Sequence, residues 1–439
     1  MPIETFSGSK ITCYLIAFDA DGRERTDDPD GLMSQRAAEL LGTEPITDVF
    51  VPSHGWMSAV PEAERQYARW VGAMSEARAD IDRLSTARPG FRPLVIGLHW
   101  PSRPWGDEEF GTVAFAPGRG VQGLIDDYAE RIADTPQARA ALTAIFAAAA
   151  DNIDPVHPPQ EVLDAYTILD EQAQLGGEGP GAAPGADHEP FDAERVLHAA
   201  RQSETAFGRF DIGGLLAPLR VLSFWKMKDR GRQIGETAGR GLLRRLQQAA
   251  GPDARFHLMG HSFGCIVVSA ILAGSGGDEP GVAPVHSLTL LQGALSHWSY
   301  CADIPSTPGR PGYFHALADH WRVAGPILTT RSTFDHALGR FYPLGAGVAR
   351  QVEFVPGELP EYGALGTFGA RGPGAEIRDL DMLGADQPYD FVPGTIYNLE
   401  ASRYIRHGRG TFGAHSDLAH KEVAHAVWEA ALPRQASGG

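Results

Sequence analysis

Ser262 lies at the centre of Gly260-His-Ser-Phe-Gly264, a G-x-S-x-G pentapeptide in a chain of 439 residues that contains 52 glycines. An apolar run from Arg255 leads into it, and a helix-forming stretch, Cys265-Ile-Val-Val-Ser-Ala-Ile-Leu-Ala273, follows. Strand, sharp turn and helix is the context in which such a pentapeptide presents a nucleophile. The turn strains its central residue, so the flanking positions must be glycine to avoid clashes. The serine hydroxyl then stands clear of the sheet, beside helix N-terminal amides that stabilise negative charge. The chemistry open to it is acyl transfer.

A serine hydroxyl is a poor nucleophile until a base, itself oriented by a third group, takes its proton. In a strand-turn-helix setting the acid and then the histidine should follow in loops at the ends of later strands. Asp335 comes directly after an apolar run ending near Arg331, and Asp303 follows the preceding strand by a longer loop as the second choice. Asp335 could instead cap a helix beginning at Ala337. Four histidines, His407, His415, His420 and His425, follow the last strand. His415 precedes the terminal helix and can reach back over the sheet edge. His420 and His425 are expected inside that helix, and His407 is flanked by arginines and glycines. Acyl transfer also needs donors aimed at the developing oxyanion. The backbone N–H groups of Phe263 and Trp56 are expected to supply them, Trp56 lying in Ser53-His-Gly-Trp56 at the end of an early strand. His54, Gly55 and His261 are expected to contact substrate.

The positioning elements read as short, continuous apolar runs at 11–18, 48–53, 93–100, 255–260, 286–292, 325–331 and 394–400, with helical stretches at 61–84, from Phe224 through 246, and at 418–431. Such runs, alternating with helices, predict a mainly parallel α/β sheet covered on both faces. Between about Trp105 and Leu215 the rhythm breaks into alanine-rich helices at 138–150, 161–175 and 193–206. The Gly/Pro stretch 176–186 interrupts them and reads as a flexible linker. A Gly/Pro-rich excursion at 344–393 separates the last two strands. The chain is therefore expected to divide into a first core part (1–104), a helical insertion serving as a possible cap (105–215, with the linker near 176–190) and a second core part (216–439).

A formal charge of −17 argues against nucleic acid and anionic membrane surfaces as partners. The three cysteines, Cys13, Cys265 and Cys301, form no disulfide or zinc spacing. No signal-like start and no bilayer-length apolar run are present, so a cytoplasmic protein is expected. His257 and His261 share the i, i+4 spacing of metal ligands but fall on a strand, where the period is wrong, so no metal is expected. The glycines of 363–374 lack the Lys-Ser/Thr of a phosphate loop, and no cofactor is implied.

The pentapeptide, Ser53-His-Gly-Trp56, Asp335 and His415 together resemble the α/β-hydrolase superfamily over roughly residues 10–100 and 215–432. The resemblance implies a sheet of about eight strands, a Ser262-Asp335-His415 triad, acyl-enzyme chemistry and hydrolysis of a small-molecule carboxylic ester, as in carboxylesterases and lipases. The same triad would serve an amidase, peptidase or acyltransferase. An inactive hydrolase-fold binding module is a third, non-enzymatic reading.

Overall fold

A computed structural model of the chain describes residues 4–5, 11–26, 31–56, 58–102, 120–151, 158–175, 180–202, 214–275, 281–318, 322–342, 359–408 and 413–432. Trp105, residues 176–179 and the end of the helix predicted at 193–206 lie outside these. Nine strands form one sheet: β1 (Glu4–Thr5), β2 (Thr12–Ala17), β3 (Asp48–Ser53), β4 (Pro93–His99), β5 (Arg255–His261), β6 (Ser287–Leu291), β7 (Ile327–Arg331), β8 (Glu376–Asp381) and β9 (Thr395–Glu400). Their spatial order is β1-β2-β4-β3-β5-β6-β7-β9-β8. The two-residue β1 pairs antiparallel at one edge, and β2 to β9 all run parallel.

The strands predicted from apolar runs are all present. β3 is buried along its whole length and β5 along all but Arg255, as expected of a parallel sheet with helices on both sides. Alternate residues feed two cores. On one face Val49, Val51 and Leu258 meet α1 (Met33–Thr43), the long helix α8 (Ala217–Ile234) and the helix α10 (Gly264–Ala273) that follows the pentapeptide. On the other, Phe50, Val95 and Met259 meet α2 (Val60–Glu76), α3 (Arg78–Ala87) and the last helix, α12 (Lys421–Ala431). A π turn at Gly235–Gly239 joins α8 to α9 (Arg240–Ala249). The four helices α4 (Gly120–Arg131), α5 (Pro136–Ala150), α6 (Gln160–Ala173) and α7 (Ala193–Gln202) pack together as a third core against α8 through Leu219, Leu222 and Trp225.

Several details differ from the sequence reading. The helix predicted over 61–84 is broken at Ala77, whose ψ of 61° is not helical. The excursion between the last two predicted strands contains β8, which ends the sheet beyond β9 and is largely exposed and charged. The Gly/Pro stretch is held where it is described: Gly181 donates to Pro311 O at 2.8 Å, and Asp187 is buried. Within the segment 359–370 a short helical turn, α11 (Leu365–Phe368), closes over β7.

A buried charge cluster joins α3 to α12. His425 faces Asp80 Oδ1 at 2.8 Å through Nδ1 and the Gln387 carbonyl at 2.9 Å through Nε2. Both partners only accept, so both ring nitrogens must carry protons. Asp80, His425 and Glu429 bring ligand atoms close enough together for a cation, but Arg83 fills that place, hydrogen-bonded to Asp80 and 2.7 Å from Glu429. Burial alone would lower the His425 pKa; the bonds to Asp80 and Gln387 outweigh it and raise the pKa above its ordinary value. Stability from this contact is therefore complete below the ordinary histidine pKa of about 6.5 and is lost as pH rises through the raised native value. The urea midpoint should fall between about pH 6 and about pH 9 in the parent protein, with part of that fall missing from His425→Gln. Identical pH slopes for the two proteins would rule this out.

Candidate active site

The strand order reverses between β3 and β5: β4 lies on one side of β3, and the chain then returns to place β5 on the other. In an open parallel sheet the crevice beyond the carboxyl ends at such a switch point is where ligands bind. Ser53 at the end of β3 is in register with Gly260, so the loops 54–56 and 262–263 leave the sheet side by side.

Ser262 has φ = +55°, a left-handed conformation that costs a non-glycine residue of order 1–3 kcal/mol. The surroundings enforce it. A Cβ on Gly264 would meet Ser53 O at 2.2 Å, and one on Gly260 would meet Cys265 Cα at 2.5 Å. Ser262 N donates to Leu291 O at 3.1 Å, and Ser262 O accepts from Cys265 and Ala294. The turn is thus pinned from β6 as well as by its own helix.

Ser262 and His415 line one cavity of about 340 Å³. His415 Nδ1 donates to Asp335 Oδ2 at 2.7 Å, so in the neutral ring Nε2 is the nitrogen without a proton. Among the described residues no hydrogen bond joins Ser262 Oγ to that nitrogen. Asp335 is buried and makes two further contacts: Oδ2 accepts from Gln292 Nε2 at 3.1 Å, and Oδ1 accepts from Leu338 N at 3.1 Å. Capping and orienting His415 are both roles of this one carboxylate. The loop of His415 is stapled to that of Asp335 by Ala414 N donating to Phe334 O at 2.9 Å.

The other carboxylate and histidines lie elsewhere. Asp303 Oδ1 closes a loop by accepting from Gly309 N at 2.6 Å. His407 is exposed, with its amide on Asp417. His420 precedes α12 instead of lying inside it, and His425 is fully buried in the cluster described above.

The amides of Phe263 and Trp56 have no acceptor among the described residues, and both side chains line the cavity with their rings stacked at 5.6 Å. Trp70 lines it too, whereas Trp100 and Trp225 are buried in the cores.

His54, Gly55 and His261 back the cavity wall and do not line it. His54 is fully buried, stacked 5.8 Å from Trp100. Its Nδ1 donates to Gly55 O at 2.8 Å, and its Nε2 accepts from Trp100 N at 3.3 Å. Burial, reinforced by neighbouring His99, lowers its pKa to about 3, so it stays neutral. Gly55 is required because a Cβ there would meet Ser262 Cβ at 2.7 Å. His261 accepts at Nδ1 from Gln66 Nε2 (2.8 Å) and donates from Nε2 to His415 O (2.9 Å). Burial first, and His415 second, hold it neutral. His257, on β5, is bonded to Asp48 at 3.1 Å and Ser287 at 2.8 Å.

Gln66 and Gln292 escaped the sequence reading, since neither belongs to a motif. Tyr342 is a third such residue. It lines the cavity while its hydroxyl donates to Asp187 at 2.5 Å and accepts from Lys228 Nζ at 2.9 Å. This buried cluster ties the Gly/Pro stretch and α8 to the cavity wall. Burial pulls the Lys228 pKa down, and Asp187 opposes the shift.

Comparison of the chain with protein-family models, with curated proteins and with solved structures returns no match. Among the described residues no helix is long and apolar enough to cross a membrane.

Proposed function

We propose that the protein is a serine hydrolase of the α/β-hydrolase type that cleaves a carboxylic ester through Ser262, His415 and Asp335. The observation that carries this reading is the strained Ser262 sharing one cavity with His415, whose other nitrogen is held by Asp335. In the neutral imidazole Nε2 takes the Ser262 proton, and a nucleophile-to-base hydrogen bond often tightens only when substrate is bound.

Ser262 Oγ attacks the ester carbonyl carbon as His415 takes its proton. The carbonyl oxygen becomes an oxyanion that accepts from the free amides of Phe263 and Trp56. The C–O bond to the alcohol breaks, and His415 returns the proton to that leaving oxygen. Water, deprotonated by His415, then attacks the acyl-enzyme and releases the acid and Ser262. Asp335 stays ionised throughout, holding the imidazole in one tautomer and stabilising its charged form.

A fluorophosphonate probe should label the folded protein at a single site, mapped to the Ser262 peptide by mass spectrometry, with p-nitrophenyl ester turnover lost in step. Folded protein that resists every serine-directed probe would favour a binding module over an enzyme.

A further inference from the structure

The cavity has two kinds of wall. Trp56, Phe224, Phe263, Leu338 and Tyr342 make one part apolar. Helix α2 contributes the other through Glu62, Gln66 and Arg69, at i, i+4 and i+7 on one helical face. Two of these three are already engaged. Gln66 holds His261, the residue before Ser262, and Glu62 Oε1 accepts from Arg65 at 2.7 Å, while Glu62 Oε2 is buried with no hydrogen-bond partner among the described residues. Arg69 is different: its side chain is exposed at the cavity and has no carboxylate or hydrogen-bond partner among the described residues. It stands one helical turn from Gln66 and lines the same cavity as Ser262.

A chain carrying a net −17 does not draw anions by its overall field. An uncompensated guanidinium on the cavity wall is therefore a local device. Its fork of N–H donors matches a carboxylate in geometry as well as charge. We infer that Arg69 binds a free carboxylate carried by the substrate, so that the site takes acidic esters, with an apolar arm against the aromatic wall and an anionic arm along α2. This substrate class rests on the hydrolase reading above.

Binding to Ser262→Ala protein, in which the ester is not turned over, tests the inference without requiring catalysis. The probes are monomethyl adipate, with its carboxylate on the acyl side, and 4-acetoxybenzoate, with its carboxylate on the alcohol side; methyl hexanoate and phenyl acetate are their neutral counterparts. At least one acidic ester should bind measurably, and its Kd should rise roughly five-fold or more in Ser262→Ala/Arg69→Glu, the size of a partly exposed ion pair reversed in sign. The matched neutral ester should shift less, and added salt should shrink the difference. In protein with Ser262 intact, the acidic-to-neutral ratio of kcat/KM should fall in the same direction on Arg69→Glu. Equal Kd values for the two proteins, or no binding of either acidic ester, would overturn the assignment. Fluorophosphonate labelling needs no carboxylate, so it tests the hydrolase reading separately.

Discussion

Ser262→Ala, His415→Ala and the double variant should fall to one common rate of p-nitrophenyl ester hydrolysis, on the order of 10⁶-fold below the parent protein. Without the hydroxyl the base has nothing to activate, and without the base the hydroxyl stays protonated, so either loss removes the whole covalent route. The residual rate is what the amides of Phe263 and Trp56 and the cavity itself supply. Asp335→Asn should lose about 10⁴-fold, for a reason specific to this site. The carboxylate accepts on both oxygens: from His415 and Gln292 on one, and from Leu338 N on the other. An amide oxygen placed toward Leu338 turns the NH₂ onto His415 and selects the tautomer whose Nε2 is already protonated. The opposite rotamer sets the NH₂ against the Leu338 N–H. Steady-state kinetics on variants shown to be folded by circular dichroism would check both expectations. A double variant much slower than either single one, or full activity in Asp335→Asn, would mean that the three residues do not work as a unit.

The placement of these residues was legible because a parallel sheet delivers the loops after its strands to one edge. Chain order and strand ends were therefore enough to single out Asp335 and His415 from four histidines and two carboxylates. The pentapeptide was legible for a more local reason, since its glycines and the apolar strand before it are contiguous. Contacts made across the fold were not. Gln66 reaches His261 over 195 residues of sequence, and a glutamine on a helix announces no such partner. His54 and His261 were expected at the substrate because they neighbour the key turn. The sequence does not say which way a ring points, and both turn inward onto backbone groups. β8 was missed because an exposed edge strand needs no apolar alternation: its Glu376, Arg378, Asp379 and Asp381 are what an open edge uses to avoid pairing with other chains. The Gly/Pro stretch read as free because composition is local, whereas Asp187 is held by Lys228 and Tyr342 from distant elements.

Alanine at Gly264 and at Gly241 should move stability in opposite directions, although both glycines are in helices. In an open helical position Gly→Ala restricts the unfolded chain and gains about 0.5–1 kcal/mol. Gly241 meets that condition, since a Cβ there has nothing within 4 Å. At Gly264 the new methyl would sit 2.2 Å from Ser53 O and 2.6 Å from His54 O. These are backbone atoms at the carboxyl end of β3, a central strand, and at the buried residue that follows it, so neither can rotate away. Relief requires α10 to lift from β3, which opens the packing of Cys265, Ile266 and Val267, all buried against that face. Overpacking on this scale costs about 3 kcal/mol or more, several times the helix gain. The same displacement would drag Ser262 and the amide of Phe263 away from the loop carrying Trp56, so turnover should fall even in molecules that remain folded. Urea titration of the two variants beside the parent checks the signs. A Gly264→Ala protein as stable as Gly241→Ala would mean that the close approach of strand and helix is not what fixes the turn.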